Sequence, residues 1–280
     1  MSEKVSKRVI SGITGAVFAL MVLFFNQNFL ILLNIITAII SILAMREVFS
    51  VMNISKLFII TVPTLIFVSI LPIFGFTLPW QGIWYAYTLW IFSLMIIKPS
   101  IELKNIVMTY AMAMLISISL NKIIELRDFG GIYGSFFVLL GLAIAWMSDT
   151  GAYFCGKFFG KNKLCPEVSP KKTIEGFIGG IITCILSMII IALIFNNFIF
   201  PQKHQISYVL IIILGLIGSP ISALGDLCFS AIKRKCGVKD FGTLMPGHGG
   251  ILDRFDSVIF VLPYVYLFLK LIPIIDRFLN

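Results

Sequence analysis

The sequence predicts an all-α, polytopic integral membrane protein with about nine transmembrane helices, eight being the alternative count. Three observations predict it. Hydrophobic residues make up 59% of the 280 residues and charged residues only 12%, about half the ~25% of a soluble domain. Polar surface is therefore too scarce to coat a globule. Several apolar stretches approach the ~20 residues that cross a bilayer as a helix. Basic residues also gather in alternate connections, as in loops retained in the cytoplasm.

Taken in order, spans are predicted at 10–26, 28–46, 57–75, 80–98, 104–121, 134–156, 174–197, 207–224 and 257–275. The first follows a basic N-terminus, MSEKVSKRVISG, and many more spans come after it, so it reads as a retained signal anchor. The N-terminal tail carries Lys4, Lys7 and Arg8; the connection after span two has Arg46 and Lys56; that after span four has Lys98 and Lys104. The connection after span six holds Lys157, Lys161, Lys163, Lys171 and Lys172, and the segment before the last span holds Lys233, Arg234, Lys235, Lys239 and Arg254. The intervening connections are NQN, FGFTLPWQG, a balanced KIIELRD, and one with Lys203 and His204. This pattern puts the N-terminus and the basic loops in the cytoplasm.

Lys and Arg number 22 against 13 Asp and Glu, a net charge of +9. Positive-inside loops account for such an excess, and it also suits an anionic lipid surface or a phosphate-bearing substrate. No basic patch interleaved with aromatics points to nucleic acid. The five cysteines form no CxxC pair and read as small apolar packing residues.

Three stretches carry charge that a lipid-facing role does not explain. In AWMSDTGAYFCGKFFGK, Asp149 falls inside span six, sharing a helical stripe with Tyr153, Gly156 and Gly160. A packing face with one satisfied acid is one reading. An acid lining a site is the other, since an intramembrane carboxylate costs at least ~2.5 kcal/mol unless it faces protein or water. In SPKKTIEG, Ser169 and Pro170 suit the N-cap and first helical position of span seven. Lys171, Lys172 and Thr173 then fall in the first turn, where lysines oppose the macrodipole unless an anion binds there. Ordinary positive-inside lysines are the plainer alternative. In 225–257, Asp226, Ser230 and Lys233 share one helical face, and Gly237 suits the end of that helix. Asp253 and Asp256 are three apart on the last helix and point one way. Glycines including Gly249 and Gly250 precede them, and their N–H groups suit a phosphate cradle. Mg²⁺ takes one or two carboxylates plus phosphate oxygens, so Asp226, Asp253 and Asp256 are the candidate metal ligands, with a second cation left open.

The run SAIKRKCGVKDFGTLMPGHGGILDRFD, 230–256, resembles the signature of the phosphatidate cytidylyltransferase (CDP-diacylglycerol synthase) family. That signature reads S-x-x-K-R, four residues, K-D, a Gly-containing spacer, then P-x-H-G-G-x-x-D-R-x-D. Met245 is a mild departure, and the two upstream stretches resemble the family as well. The resemblance implies that CTP and phosphatidic acid give CDP-diacylglycerol and pyrophosphate, with Mg²⁺, at a cytoplasmic face of the plasma membrane, in a homodimer. It implies metal binding at Asp226 and Asp253, with Asp256 close by, and catalytic roles shared with Lys233 and Arg254. Substrate contacts are expected at Ser230, Arg234, Lys239, Asp240, His248, Gly249 and Gly250. Asp149, Lys171, Lys172, Thr173 and Glu175 would form the opposite wall. The domain is then one continuous membrane unit, with N-terminal helices over 1–100 and the catalytic region over 101–280. A CTP-dependent polyprenol kinase is the nearest rival, separated by its CDP product. The spacing of CDP-alcohol phosphotransferases is not met. An ion-coupled transporter would carry acids near mid-membrane in two related halves, whereas the acids here gather in one half.

Overall fold

The computed structural model describes residues 30–74, 79–199, 206–244, 249–272 and 274–275. The predicted first span at 10–26, the basic tail residues Lys4, Lys7 and Arg8, the connection residues Lys203 and His204, and His248 lie outside the described residues. Among the described residues the regular structure is helical apart from one small hairpin and an isolated bridge between Ile206 and Ile275. Its helices are α1 (Leu30–Val51), α2 (Phe58–Phe74), α3 (Trp80–Ile97), α4 (Leu103–Gly130), α5 (Gly134–Phe159), α6 (Ile174–Ile194), α7 (Tyr208–Lys235) and α8 (Leu252–Leu271). Between α5 and α6 lie β1 (Lys163–Cys165) and β2 (Ser169–Thr173), paired antiparallel.

Four described segments are long and apolar enough to cross a membrane: Ile31–Val51, Leu103–Phe159, Ile174–Ile199 and Tyr208–Lys235. Leu103–Phe159 contains α4 and α5, of 28 and 26 residues, each longer than the ~20 needed for one crossing. Gly131 parts them with a left-handed φ of +54°, a backbone state that side chains with a Cβ rarely adopt. α2 is apolar but has 17 residues and two internal prolines, Pro63 and Pro72.

Three expectations are corrected. α1 continues to Val51, so Arg46 is helical rather than in a loop. α4 continues through Lys122–Asp128, which the sequence pattern assigned to a connection. Ile123, Ile124 and Leu126 are buried there, so apolar burial extends the helix beneath the balanced charges. Lys171 and Lys172 lie on β2, not in the first turn of α6, and Ser169 is not its cap. Thr173 caps α6 instead: its backbone is extended and its Oγ1 accepts from Gly176 N at 3.1 Å. Pro170 fits this outcome, because a two-stranded hairpin tolerates a residue without an N–H.

The described residues fall in two compact units that are each discontinuous in sequence: 1–124 with 235–255, and 125–234 with 256–280. In the first unit, hydroxyls and aromatics tie α2, α3 and α4 together. Thr64 Oγ1 lies 3.1 Å from Tyr87 OH, Trp84 Nε1 donates to Tyr110 OH at 3.1 Å, and Phe67 stacks on Tyr87 at 4.1 Å between centroids. In a lipid-facing bundle such bonds and close packing replace the hydrophobic drive that water would provide.

In the second unit, α5 and α6 approach closely over small residues. A Cβ on Gly151 would lie 2.5 Å from Thr183, one on Gly180 would lie 2.8 Å from Ser148 O, and one on Gly179 would strike the Cys155 side chain. The face used is therefore Ser148, Gly151, Ala152, Cys155 and Gly156. Tyr153, predicted to share the stripe, is 63% exposed. Ser148 Oγ lies 2.6 Å from Ser219 Oγ on α7, and Tyr264 OH on α8 donates to Leu214 O at 3.2 Å. These contacts set α5, α6, α7 and α8 around one another and fix the level at which their polar residues meet.

Candidate active site

The second unit collects acids and lysines from four elements. Lys172 on β2 and Asp226 on α7 form an ion pair at 2.6 Å, each side chain about a quarter exposed. Ser230 Oγ, one turn on from Asp226, donates to Asp226 Oδ1 at 3.2 Å. This is the i, i+4 contact that a shared helical face provides. On α5, Asp149 Oδ2 accepts from Ser257 Oγ at 3.0 Å. Asp256, at the start of α8 and ahead of the apolar stretch 257–275, is 6% exposed. Its Oδ1 accepts from Ser257 N at 2.7 Å.

Burial pushes the Asp256 carboxyl above the usual carboxylate range; the negative charges of Asp226 and then Asp149 push it the same way. Lys233 and the Ser257 N–H pull it back. Asp149, Asp226 and Asp256 thus face two ammonium groups, Lys172 and Lys233, in a partly dry setting. The carboxylates exceed the ammonium groups by one, so a cation or a proton suits the deficit. Among the described residues no group of three or more His, Cys, Asp or Glu side chains is arranged to hold a metal ion. A pair of carboxylates completed by phosphate oxygens is nonetheless the donor set that Mg²⁺ takes, and Asp226 with Asp256 fits that description.

The hairpin that carries Lys172 is held by Glu175. Its carboxylate accepts from Lys161 N at 3.0 Å, from Asn162 N at 3.1 and 3.2 Å, and from Asn162 Nδ2 at 2.8 Å. Glu175 therefore secures the start of β1 against the first turn of α6. Thr173 is buried against Gly156, Gly160 and Gly176 and serves as the helix cap. Lys171 is exposed on β2, and Arg234 is exposed at the end of α7. Alternation along an extended strand separates Lys171 from Lys172, where the sequence pattern had treated them as equivalent.

In the first unit, α7 gives way to a loop at Gly237, whose φ is +72°. Lys239, Asp240 and Arg254 are exposed on the segment that follows. Asp253 Oδ2 accepts from Phe241 N at 2.8 Å and Gly250 N at 2.9 Å. Glu47 on α1 accepts from Ile251 N and Leu252 N, both at 2.8 Å. The N–H groups of Gly250, Ile251 and Leu252 are thus taken by protein carboxylates, which corrects the expected phosphate cradle at Gly250; Gly249, with φ of +83°, packs against Asp253. Asp253 organises the loop around it, while Asp256 belongs to the acid–lysine cluster. Glu47 is the residue that the sequence reading missed. Its signal was a carboxylate in an apolar helix, the same signal that singled out Asp149.

A helical membrane protein with acids and lysines gathered in this way is equipped to manage polyanionic substrates. The cytidylyltransferase family model matches residues 6–272, and the chain belongs to that family; it is a nucleotidyltransferase. It is 34% identical over 280 residues to the phosphatidate cytidylyltransferase of Bacillus subtilis (strain 168), covering 95% of this chain and 97% of that protein. Phosphatidate cytidylyltransferases of Staphylococcus saprophyticus and Staphylococcus aureus (strain COL) are 46% and 48% identical over 136 residues. Each of those two matches covers 49% of this chain and 50% of the relative.

Proposed function

We propose that the chain is a phosphatidate cytidylyltransferase, converting CTP and phosphatidic acid to CDP-diacylglycerol and pyrophosphate in phospholipid synthesis. The observation that carries the proposal is the cluster of Asp149, Asp226 and Asp256 with Lys172 and Lys233, two of which, Lys233 and Asp256, belong to the 230–256 signature. Near-full-length similarity to a relative of that name supports it.

The chemistry follows from the charges. The nucleophile is a phosphate monoester oxygen of the lipid, whose second pKa is near ~6, as in phosphoserine. It is mostly dianionic at neutral pH, so no strong general base is needed. The barrier is the approach of two polyanions. Lys172 and Lys233 offset that repulsion, and Lys233 does so from a buried position where its charge is weakly screened. Mg²⁺ held by Asp226 and Asp256 would neutralise phosphate charge and aid pyrophosphate departure. Asp149, bonded to Ser257, fixes α8 against α5 beside those carboxylates. Glu175 and Thr173 hold the hairpin so that Lys172 meets Asp226. The family resemblance alone offers Arg234, Lys239, Asp240, His248, Gly249 and Arg254 as nucleotide contacts, with Lys171 a peripheral one.

The same proposal includes nine spans with cytoplasmic catalytic loops in the plasma membrane, acyl chains entering sideways from the bilayer, and a homodimer. The test is purified protein in detergent with labelled CTP and phosphatidic acid, with and without Mg²⁺. Labelled CDP-diacylglycerol and pyrophosphate are expected only with Mg²⁺. Labelled CDP with a phosphorylated lipid alcohol would replace the proposal with the kinase reading.

A further inference from the structure

We infer that Glu47 is a positioning residue for the signature segment, fixing its backbone at Gly242 and at 250–252 from a helix near the other end of the chain. The partners are 204 and 205 positions apart in sequence. Glu47 is 9% exposed, and its two oxygens each accept one backbone N–H, Oε1 from Ile251 and Oε2 from Leu252. Those donors are among the four that the first turn of α8 leaves without helical partners.

Two glycines make room for the carboxylate. A Cβ on Gly242 would lie 2.6 Å from Glu47 Oε1, and one on Gly250 would strike the carboxylate outright. Backbone thus closes on Glu47 from both sides of the segment. Asp253 completes the arrangement by accepting from Phe241 N and Gly250 N. Between them, two carboxylates fix residues 241–242 and 250–252. Lys239 and Asp240 lie immediately before this fastened stretch, and Arg254 immediately after it. A neutral hydroxyl could cap the helix as well. A buried carboxylate is costly to desolvate and is retained where it fixes one arrangement among several, and charged acceptors make the stronger bonds.

The kinetic part of this inference rests on the cytidylyltransferase proposal; the structural part does not. The experiment uses the full chain in detergent, as wild type, Glu47→Ala and Glu47→Gln. It measures kcat and KM for CTP and for phosphatidic acid, together with hydrogen exchange at the Ile251 and Leu252 amides. Glu47→Ala should lower kcat/KM for CTP by about 100-fold, the scale of a small misplacement of reacting groups. The CTP KM should rise while the phosphatidic acid KM stays within about 2-fold. Glu47→Gln keeps one acceptor oxygen and should recover about 10-fold of the loss, the size of one hydrogen bond. Both amides should exchange faster in Glu47→Ala, and at least one of them in Glu47→Gln. A fall in kcat with the CTP KM unmoved would overturn the inference, because loss of folded protein alone gives that result. Unchanged protection of both amides in Glu47→Gln would overturn it too, even if Glu47→Ala fails to fold. Should the wild type transfer no cytidylyl group, the function proposal fails and the exchange data still decide the role of Glu47.

Discussion

Asp226→Asn separates chemistry from folding. The cluster has three carboxylates, Asp149, Asp226 and Asp256, against the ammonium groups of Lys172 and Lys233. Neutralising position 226 leaves two charges of each sign. Lys172 loses a carboxylate 2.6 Å away, with both side chains about a quarter exposed. A hydrogen bond to a charged group contributes about 1.5–3 kcal/mol, and partial exposure puts this one at the low end. Relief of the repulsion that Asp226 exerts on Asp256 offsets part of that loss. The expected net destabilisation is about 1 kcal/mol. The expected effect on catalysis is larger, about 10²–10³-fold in kcat, or about 2.7–4 kcal/mol of transition-state stabilisation. Thermal melting of the monodisperse protein in detergent measures the first quantity, and incorporation of labelled CTP into lipid measures the second. A folded variant that keeps more than about a tenth of the wild-type rate would refute the assignment of Asp226. So would an activity loss that only tracks the fraction unfolded.

Three further outcomes follow from the same geometry. Lys172→Gln should reduce kcat/KM by about 10-fold or more, whereas Lys171→Gln should change it by less than about 3-fold; equal effects would return both lysines to a general surface role. Thr173→Val should destabilise the protein by about 1 kcal/mol through loss of the α6 cap, while Thr173→Ser keeps the Oγ acceptor and the stability; equal melting of the two variants would reject the cap. Gly179→Leu should destabilise by about 1–3 kcal/mol or more, because its side chain must enter space held by Cys155; an unchanged melting temperature would show that α5 and α6 separate freely.

Features written in local spacing were legible in the sequence. Hydropathy and length marked the eight described helices, and Asp226, Ser230 and Lys233 lie on one face because helical geometry dictates it. Gly237 ends α7 with a left-handed backbone, as its position suggested. Misreadings arose where two local rules competed. Ser169-Pro170 is an acceptable helix start, but so is Thr173, and pairing of β2 with β1 draws Lys171 and Lys172 into an extended strand. KIIELRD has the charge balance of a loop and the apolar spacing of a helix; burial of Ile123, Ile124 and Leu126 favours the helix.

The partners of a carboxylate are another matter, because they depend on which chain segments meet. Asp253 and Asp256 share a short helical spacing, yet one accepts backbone N–H groups from Phe241 and Gly250 while the other is surrounded by Asp226, Asp149 and Lys233. Nothing within the DRFD run distinguishes them. Glu47 is the stronger case: its neighbours Arg46 and Val48 say nothing of a loop 204 residues away. What the sequence does contain is the cost. A carboxylate inside an apolar helix must be compensated, and the compensating groups must be donors. Among the described acids, Glu47, Asp253 and Glu175 accept chiefly backbone N–H groups, whereas Asp149 and Asp226 meet a hydroxyl or a lysine and Asp256 lies near Asp226, Asp149 and Lys233 with one backbone N–H from Ser257. The first group holds loops in place; the second gathers three carboxylates near Lys172 and Lys233, where the proposed reaction on phosphates would have its footing.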